Sequence, residues 1–306
     1  MGQKGYFGSP TMHKNWVYFI TDDDLFKVDL HGGIPRRLTS SLAPSSCPHI
    51  SPDGASILFL SNEHGQRDAY VMDSEGGEKK RLTHFGDVKI SGFKDNKHAI
   101  VMSAENSFHR AHTIPYLVNI DTFERKSINV GHACSLEYGS DKSVLLGRNL
   151  GDPARWKRYK GGTLGRLWLS RNGKSNFVEI LKNLKSHLAN PRMIGKRIYF
   201  ISDHEGIGNI YSSNYSGINI KRHTHHNEYY VRSFNSSNEI IVYQCGAEIY
   251  QLDLKNDQSS VININDHSGH MQSVSRFESS YENLQDINIS AKAEEIAVIL
   301  RGQLYV

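Results

Sequence analysis

Apolar positions fall in short bursts along this chain. Runs of four to six residues rich in Val, Ile, Leu, Tyr and Phe are separated by Gly, Asn and Asp. Apolar spacing of the helical kind is weak throughout, and the best short helix candidate is 180–188. Short β-branched and aromatic runs between turn residues predict antiparallel β-meanders.

One unit recurs. It has a short apolar strand, a turn, a strand of the form x-Ile/Leu-Tyr/Trp-x-x-Asp, a Gly or Asn turn, and a strand ending near Arg-x-Thr. The clearest copy spans Ser51 to Thr83: a Ser-Pro-Asp-Gly turn, Ile57 to Ser61, Asp68 to Asp73, Gly76 and Gly77, then Lys79 to Thr83. A second runs from Arg197 through Asn209 and Gly217 to Thr224. Weaker copies share the third strand: Leu25 to Leu30, Tyr116 to Asp121, Arg166 to Ser170, Glu248 to Asp253 and, cut short, Gln303 to Val306. These strands recur at intervals of roughly 40–55 residues, the length of a four-stranded propeller blade.

A lone meander cannot bury both faces, whereas several stacked around an axis bury nearly all of them. The expected fold is therefore all-β, a six-bladed β-propeller of four-stranded antiparallel blades followed by an incomplete further blade. The expected divisions are a propeller over 1–265, a polar linker over 266–283, and the first strands of a second propeller over 284–306. In that last segment the fourth strand is missing. An open edge is rarely left uncovered, so a further strand, from another polypeptide or from a longer form of this one, is expected to complete the sheet.

Charge changes this picture little. The 306 residues carry 36 basic and 32 acidic side chains, a formal charge of +4, with no long single-sign block. This balance argues against a nucleic-acid partner. No run of about 18 apolar residues occurs, so no membrane-spanning helix is expected. The start of the chain has no apolar signal region. Three scattered cysteines (Cys47, Cys134, Cys245) with no C-x-x-C suggest neither a disulfide framework nor a zinc site, and fit a reducing, cytoplasmic setting.

Catalytic motifs are scarce. No G-x-S-x-G elbow and no H-E-x-x-H is present, and Trp168 stands where a phosphate loop ending at Gly173-Lys174 needs its first glycine. Gly206 and Gly208 lack the third glycine of a dinucleotide fingerprint and read as a turn. The cluster His223, His225, His226 has metal-binding side chains but no supporting acidic or cysteine pattern, so an exposed strand end is the plainer reading. His109 and His112 flank a long loop and read likewise. No metal and no cofactor is expected. The loop Arg155, Trp156, Lys157, Arg158, Tyr159, Lys160 stands apart, with four cations and two aromatics in a row. It suits an anionic group or a peptide. It reads either as a solvated insertion in the fourth unit or as an interface or channel-lining loop.

Three stretches, 155–168, 197–211 and 222–232, resemble the amino-terminal region of the tricorn protease family. The likeness runs from about Trp16 to Val306, where Leu300 to Tyr305 resembles the opening of that family's second propeller. The resemblance implies a cytoplasmic serine peptidase that trims oligopeptides released by the proteasome. It is built from a six-bladed propeller, a seven-bladed propeller, a PDZ-like domain and catalytic domains, assembled as hexamers. The family's catalytic serine, histidine and glutamate lie in the carboxy-terminal domains, so no catalytic residue carries over. The loop where the family's six-bladed propeller can hold an arginine pair for a substrate's carboxyl terminus is here His84 to Asp87, short and without such a pair.

The function implied is a non-catalytic propeller subunit forming a gated channel to a catalytic chamber on another chain. Its partners would be a tricorn-like C-terminal catalytic subunit and oligopeptides, in a large homo- or hetero-oligomeric complex, with neither nucleic acid nor membrane involved. The alternative is a freestanding propeller that scaffolds proteins or binds a ligand. An independent hydrolase with a hidden site is a third reading, which no motif supports.

Overall fold

A computed structural model describes residues 5–41, 43–174, 176–237, 239–269, 277 and 279–306. Two compact units are present, Met1–His267 and Ser268–Val306. The first contains six four-stranded antiparallel sheets, each built from four consecutive strands. Blade 1 holds β1 (Gly8–His13), β2 (Trp16–Thr21), β3 (Asp24–Asp29) and β4 (Arg36–Arg37). Blade 2 holds β5 (Ser45–Ile50), β6 (Ser56–Ser61), β7 (Asp68–Asp73) and β8 (Lys80–Arg81). Blade 3 holds β9 (Lys89–Asp95), β10 (His98–Ser103), β11 (Ile114–Asn119) and β12 (Arg125–Ser127). Blade 4 holds β13 (Ser135–Tyr138), β14 (Val144–Arg148), β15 (Arg166–Ser170) and β16 (Val178–Ile180). Blade 5 holds β17 (Leu188–Ile194), β18 (Arg197–Ser202), β19 (Asn209–Asn214) and β20 (Lys221–Arg222). Blade 6 holds β21 (Val231–Ser237), β22 (Ile240–Cys245), β23 (Glu248–Asp253) and β24 (Gln258–Val261). First strands approach one another in the order β1, β5, β9, β13, β17, β21 and back to β1, so they line the axis of a closed ring.

Why the second strands are apolar throughout follows from the packing. Successive residues of a strand face opposite sides, and here both sides are covered. Ile57 and Phe59 of β6 pack toward blade 1 with Tyr18 and Leu25. Leu58 and Leu60 of the same strand pack toward blade 3 with Ala99 and Val101. The same division recurs at β18, where Ile198 and Phe200 join blade 4 and Tyr199 and Ile201 join blade 6. Six core clusters result, one between each pair of neighbouring blades.

Among the described residues no strand is shared between blades 1 and 6. The ring closes by packing, with Val17, Phe19 and Phe26 against Val242, Ile249 and Ile262. A short run of backbone bonds joins the two ends: Phe7 N to Ala247 O at 3.0 Å, Gly33 N to Asn263 O at 2.9 Å, and Asn265 N to Gly33 O at 2.9 Å. Gly32 allows this approach. Its φ is +93°, and a Cβ there would stand 2.4 Å from the Asn263 carbonyl oxygen.

The Arg-x-Thr end of the unit has a structural reason. In blade 2, Thr83 Oγ1 donates to the buried Asp68 at 2.7 Å and accepts the Ala69 amide at 3.0 Å. Arg81 pairs with the other Asp68 oxygen at 2.7 Å and also donates to the Thr83 carbonyl. Blade 1 repeats the clamp with Asp24, Arg37 and Thr39. Blade 5 repeats it with Asn209, Arg222 and Thr224. Because Asn209 is neutral, Arg222 turns instead to Glu205 at 3.0 Å. Each clamp ties the start of a third strand to the end of a fourth.

The stretch with the best, though weak, helical spacing is mostly strand and turn. Residues 180–188 form no helix. Ile180 ends β16, Lys182–Leu184 make a single 3₁₀ turn, and Leu188 begins β17. The apolar residues that suggested a helix are the inward-facing ends of two blades, joined by Leu181 and Lys185 in left-handed conformation.

The second unit has one helical turn (α1, Ser280–Asn283) and a three-stranded antiparallel sheet of β25 (Leu284–Ile289), β26 (Ile296–Leu300) and β27 (Gln303–Tyr305). Residues 270–276 and 278 of the expected linker lie outside the described residues. Ile287, Ile289, Ile296 and Leu304 of this sheet are each at least half exposed.

Candidate functional site

The axis carries the feature that the sequence did not announce. Arg192, on β17, lies in blade 5. Its Nη1 donates to the Ser91 carbonyl of blade 3 at 3.1 Å, and its Nη2 stands 3.4 Å from His49 Nδ1 of blade 2. In a ring of six, blades 2 and 5 are opposite, so this side chain crosses the axis. Asn235 of blade 6 reaches the same His49 nitrogen at 3.4 Å. Five of the six blades thus send a group toward one point when Glu137 of blade 4 is included, since the Arg192 charge acts on its carboxyl.

The electrostatics of this cluster are unusual. Burial raises the Glu137 carboxyl to about 7, and the Arg192 charge and the Met193 amide only partly offset it. His49 is held neutral, first by burial and then by the neighbouring guanidinium. Glu137 Oε2 and Arg192 Nε are buried without a hydrogen-bond partner. Sequence reasoning missed these residues because they come from separate blades. The available sign was a charged or polar residue within each first strand, where the flanking strands carry apolar ones.

Loop 149–165, between β14 and β15, places the Arg155–Lys160 stretch. In a meander, second-to-third-strand connections share a face with the links between blades. This loop therefore lies beside 181–187, 203–208, 223–230 and the residues just before β1. Asp203 pins it. Only 4% exposed, this carboxylate accepts the Arg158 amide, the Ser186 hydroxyl at 2.8 Å and the Tyr230 hydroxyl at 3.4 Å. Trp156 packs on Tyr159 with ring centres 5.1 Å apart, and Lys157 Nζ sits 5.5 Å over the Tyr230 ring. Asp152, at the loop's start, pairs with Arg232, which also bonds Tyr6.

The histidines do not gather around a common centre. His112 stacks on His132 with ring centres 4.6 Å apart, His109 tilts against His112, and no group of three or more metal-ligating residues converges among the described residues. His223 is not part of an exposed strand end. It is buried between Ser212 Oγ at 2.7 Å and Asp257 Oδ1 at 2.5 Å, under the Tyr199 ring. His226 bonds Tyr243 at 3.0 Å. The loop 84–87 is fastened by Gly86 N to Asp68 and by Arg67 to Asp87.

The family model described as "Tricorn protease N-terminal beta propeller domain" matches residues 4–258. The chain belongs to the tricorn protease N-terminal propeller family. It is 30% identical over 308 residues to the "Tricorn protease homolog" of Saccharolobus solfataricus, a match covering 99% of this chain and 28% of that protein. In Sulfurisphaera tokodaii, a protein named as a Tricorn-like protease N-terminal subunit is 30% identical over 55% of this chain and 87% of its own length. A C-terminal subunit named in the same organism matches 24% of this chain at 40% identity. Among solved structures, "Crystal structure of the tricorn protease" aligns over 99% of this chain and 30% of its own, with TM-score 0.79 and 26% identity. The chain spans less than a third of the full-length tricorn relative and of the tricorn structure.

Proposed function

We propose that this chain is the non-catalytic propeller part of a tricorn-like serine peptidase that degrades oligopeptides downstream of the proteasome. Its axis serves as a gated passage toward a catalytic chamber supplied by another chain. The observation that carries this reading is the bridge of Arg192 across the axis to Ser91 and His49. A single long side chain held by two contacts of 3.1 and 3.4 Å is a closure that a rotamer change opens. The naming of separate N-terminal and C-terminal subunits in a relative supports a catalytic partner. The exposed apolar sheet of β25 to β27 offers that partner a strand-pairing edge.

The test reconstitutes the chain with a tricorn-like C-terminal catalytic subunit from the same source and follows cleavage of a fluorogenic oligopeptide. Arg192→Ala opens the axis and raises turnover of the complex severalfold, while Ser91→Trp fills it and lowers turnover. A complex that forms but whose turnover ignores both variants refutes the passage. A chain that neither binds the catalytic subunit nor alters its turnover refutes the subunit role.

A further inference from the structure

We propose that the groove along loop 149–165 binds acidic oligopeptides, held by Lys157, Lys160, Lys182 and Lys185 with Trp156 and Tyr229 as aromatic rests. This rests on the peptide-handling role above and names the class of peptide that this face selects.

Three depressions follow the loop. One of 280 Å³ lies between Lys160, Lys182 and Lys185. The next, of 100 Å³, shares Lys160 and Ser186 with it and runs past Arg158 to His204. A third, of 480 Å³, opens between Lys157, Tyr6, Tyr229 and Tyr230. The first two share Lys160 and Ser186, and the third is lined by Lys157, the neighbour of Arg158 in the second. Together they suit an extended segment rather than a compact ligand.

The charge of this groove is not that of the whole chain. Among the described residues, none of Arg155, Lys157, Arg158, Lys160, Lys182 and Lys185 forms an ion pair. The nearby carboxylates are already engaged: Glu179 with Arg166 at 3.1 Å, Asp152 with Arg232, and Asp203 with its three donors. Glu228 stands at the aromatic end. A chain of net charge +4 thus concentrates five unpaired cations, Lys157, Arg158, Lys160, Lys182 and Lys185, along the three depressions. Charge complementarity of this kind fits a carboxylate-bearing partner and speeds its encounter.

The aromatics add the second element. Trp156 and Tyr229 are 59% and 62% exposed, at odds with the burial such rings favour. Trp156 is braced by Tyr159, and Tyr229 lies against Gly246. The loop is already pinned by Asp203, so binding requires little ordering of its backbone. A nucleic acid would use the same cations and rings, but basic residues elsewhere on the chain are interspersed with acids and offer no longer phosphate-tracking stripe.

The experiment is fluorescence anisotropy on the full chain. The probe is a fluorescein-labelled decapeptide of alternating glutamate and tyrosine, compared with a lysine–tyrosine decapeptide and a labelled decauridylate. The acidic peptide binds, and its affinity falls steeply with added salt. Lys157→Glu combined with Lys160→Glu weakens it by about tenfold or more. Lys182→Ser combined with Lys185→Ser gives a smaller loss and decides the matter if the first pair fails to fold, as judged by circular dichroism. Arg192→Ala leaves this affinity unchanged, which separates the groove from the axis. Unaltered affinity in both lysine pairs overturns the proposal. Equal binding of the lysine peptide, or decauridylate binding as tightly as the acidic peptide, overturns it too. No catalytic subunit is present, so a failed reconstitution leaves this result standing, and a failed groove leaves the subunit role standing.

Discussion

Replacing Glu137 with glutamine tests the description of the axis directly. The carboxyl moves from 4.5 to about 7 on folding, chiefly through burial. A group whose folded pKa is raised in this way holds its proton more tightly in the native state. Its effect on stability is absent below pH 4.5, grows as pH rises toward 7, and is a constant penalty above that. At 1.36 kcal/mol per pH unit the full penalty is about 3 kcal/mol. Glutamine keeps the shape and can still accept the Met193 amide, but it does not ionise. Glu137→Gln should therefore be about as stable as the wild type near pH 4.5 and more stable by about 3 kcal/mol at pH 8. Urea denaturation at pH 5 and pH 8 reads this as a midpoint gain of roughly 1 M at the higher pH, for a slope of about 3 kcal/mol per molar. The comparison between variants removes every other titrating group. If the two proteins show the same pH dependence, Glu137 is solvated and the axis is an open, water-filled tunnel.

Two further outcomes concern the scaffold. Asp68→Ala leaves Arg81 and Thr83 without their buried partner and should destabilise the propeller by about 3 kcal/mol or more, whereas Asp68→Asn should cost much less, since blade 5 carries Asn209 at the equivalent place; equal losses in chemical denaturation would refute the clamp. Deleting 268–306 should leave the melting temperature of the remaining unit within about 2 °C of the intact chain, about the shift that 1 kcal/mol produces in a unit of this size, and a fall of 10 °C would show that the second unit is part of the ring's core.

Third strands were legible in the sequence because their pattern answers to two constraints at once. The apolar residues of Asp68 to Asp73 pack between blades, while Asp68 must meet Arg81 and Thr83. Blades 3, 4 and 6 lack the full clamp among the described residues, and their copies looked weaker; blade 1 keeps the clamp and still looked weaker, so the clamp alone does not set how clearly a copy reads. First strands were harder to read. They face the axis on one side, so His49, Glu137, Arg192 and Asn235 interrupt their apolar runs. Their meaning lies in contacts between residues 101 and 186 positions apart, such as Arg192 with Ser91 and Asn235 with His49. The cationic loop was legible as composition, but its groove was not, because Lys182 and Lys185 come from the next link between blades. The apparent helix at 180–188 arose from reading two blade edges as one face.

Ser212, His223 and Asp257 show why a hydrogen-bond pattern alone does not make a nucleophile. Asp257 accepts from His223 Nδ1, and burial keeps the imidazole neutral despite that carboxylate. His223 Nε2 is then the acceptor for the Ser212 hydroxyl at 2.7 Å, which is the proton arrangement of a serine hydrolase. Yet Ser212 has no exposed surface, and His223 is only 4% exposed. Arg197 Nε also donates to Ser212 Oγ at 2.8 Å, so the hydroxyl is bonded to a second side chain besides His223. The Tyr199 ring lies 5.0 Å from the imidazole. A productive site needs a void about 3 Å from both the nucleophile and the donors that receive the oxyanion. Ser212, with no exposed surface, faces no such void. The Ser212–His223 and His223–Asp257 bonds instead tie β19 and the residues just after β20 to the turn between β23 and β24, joining blades 5 and 6 beside Tyr199 of the core between them.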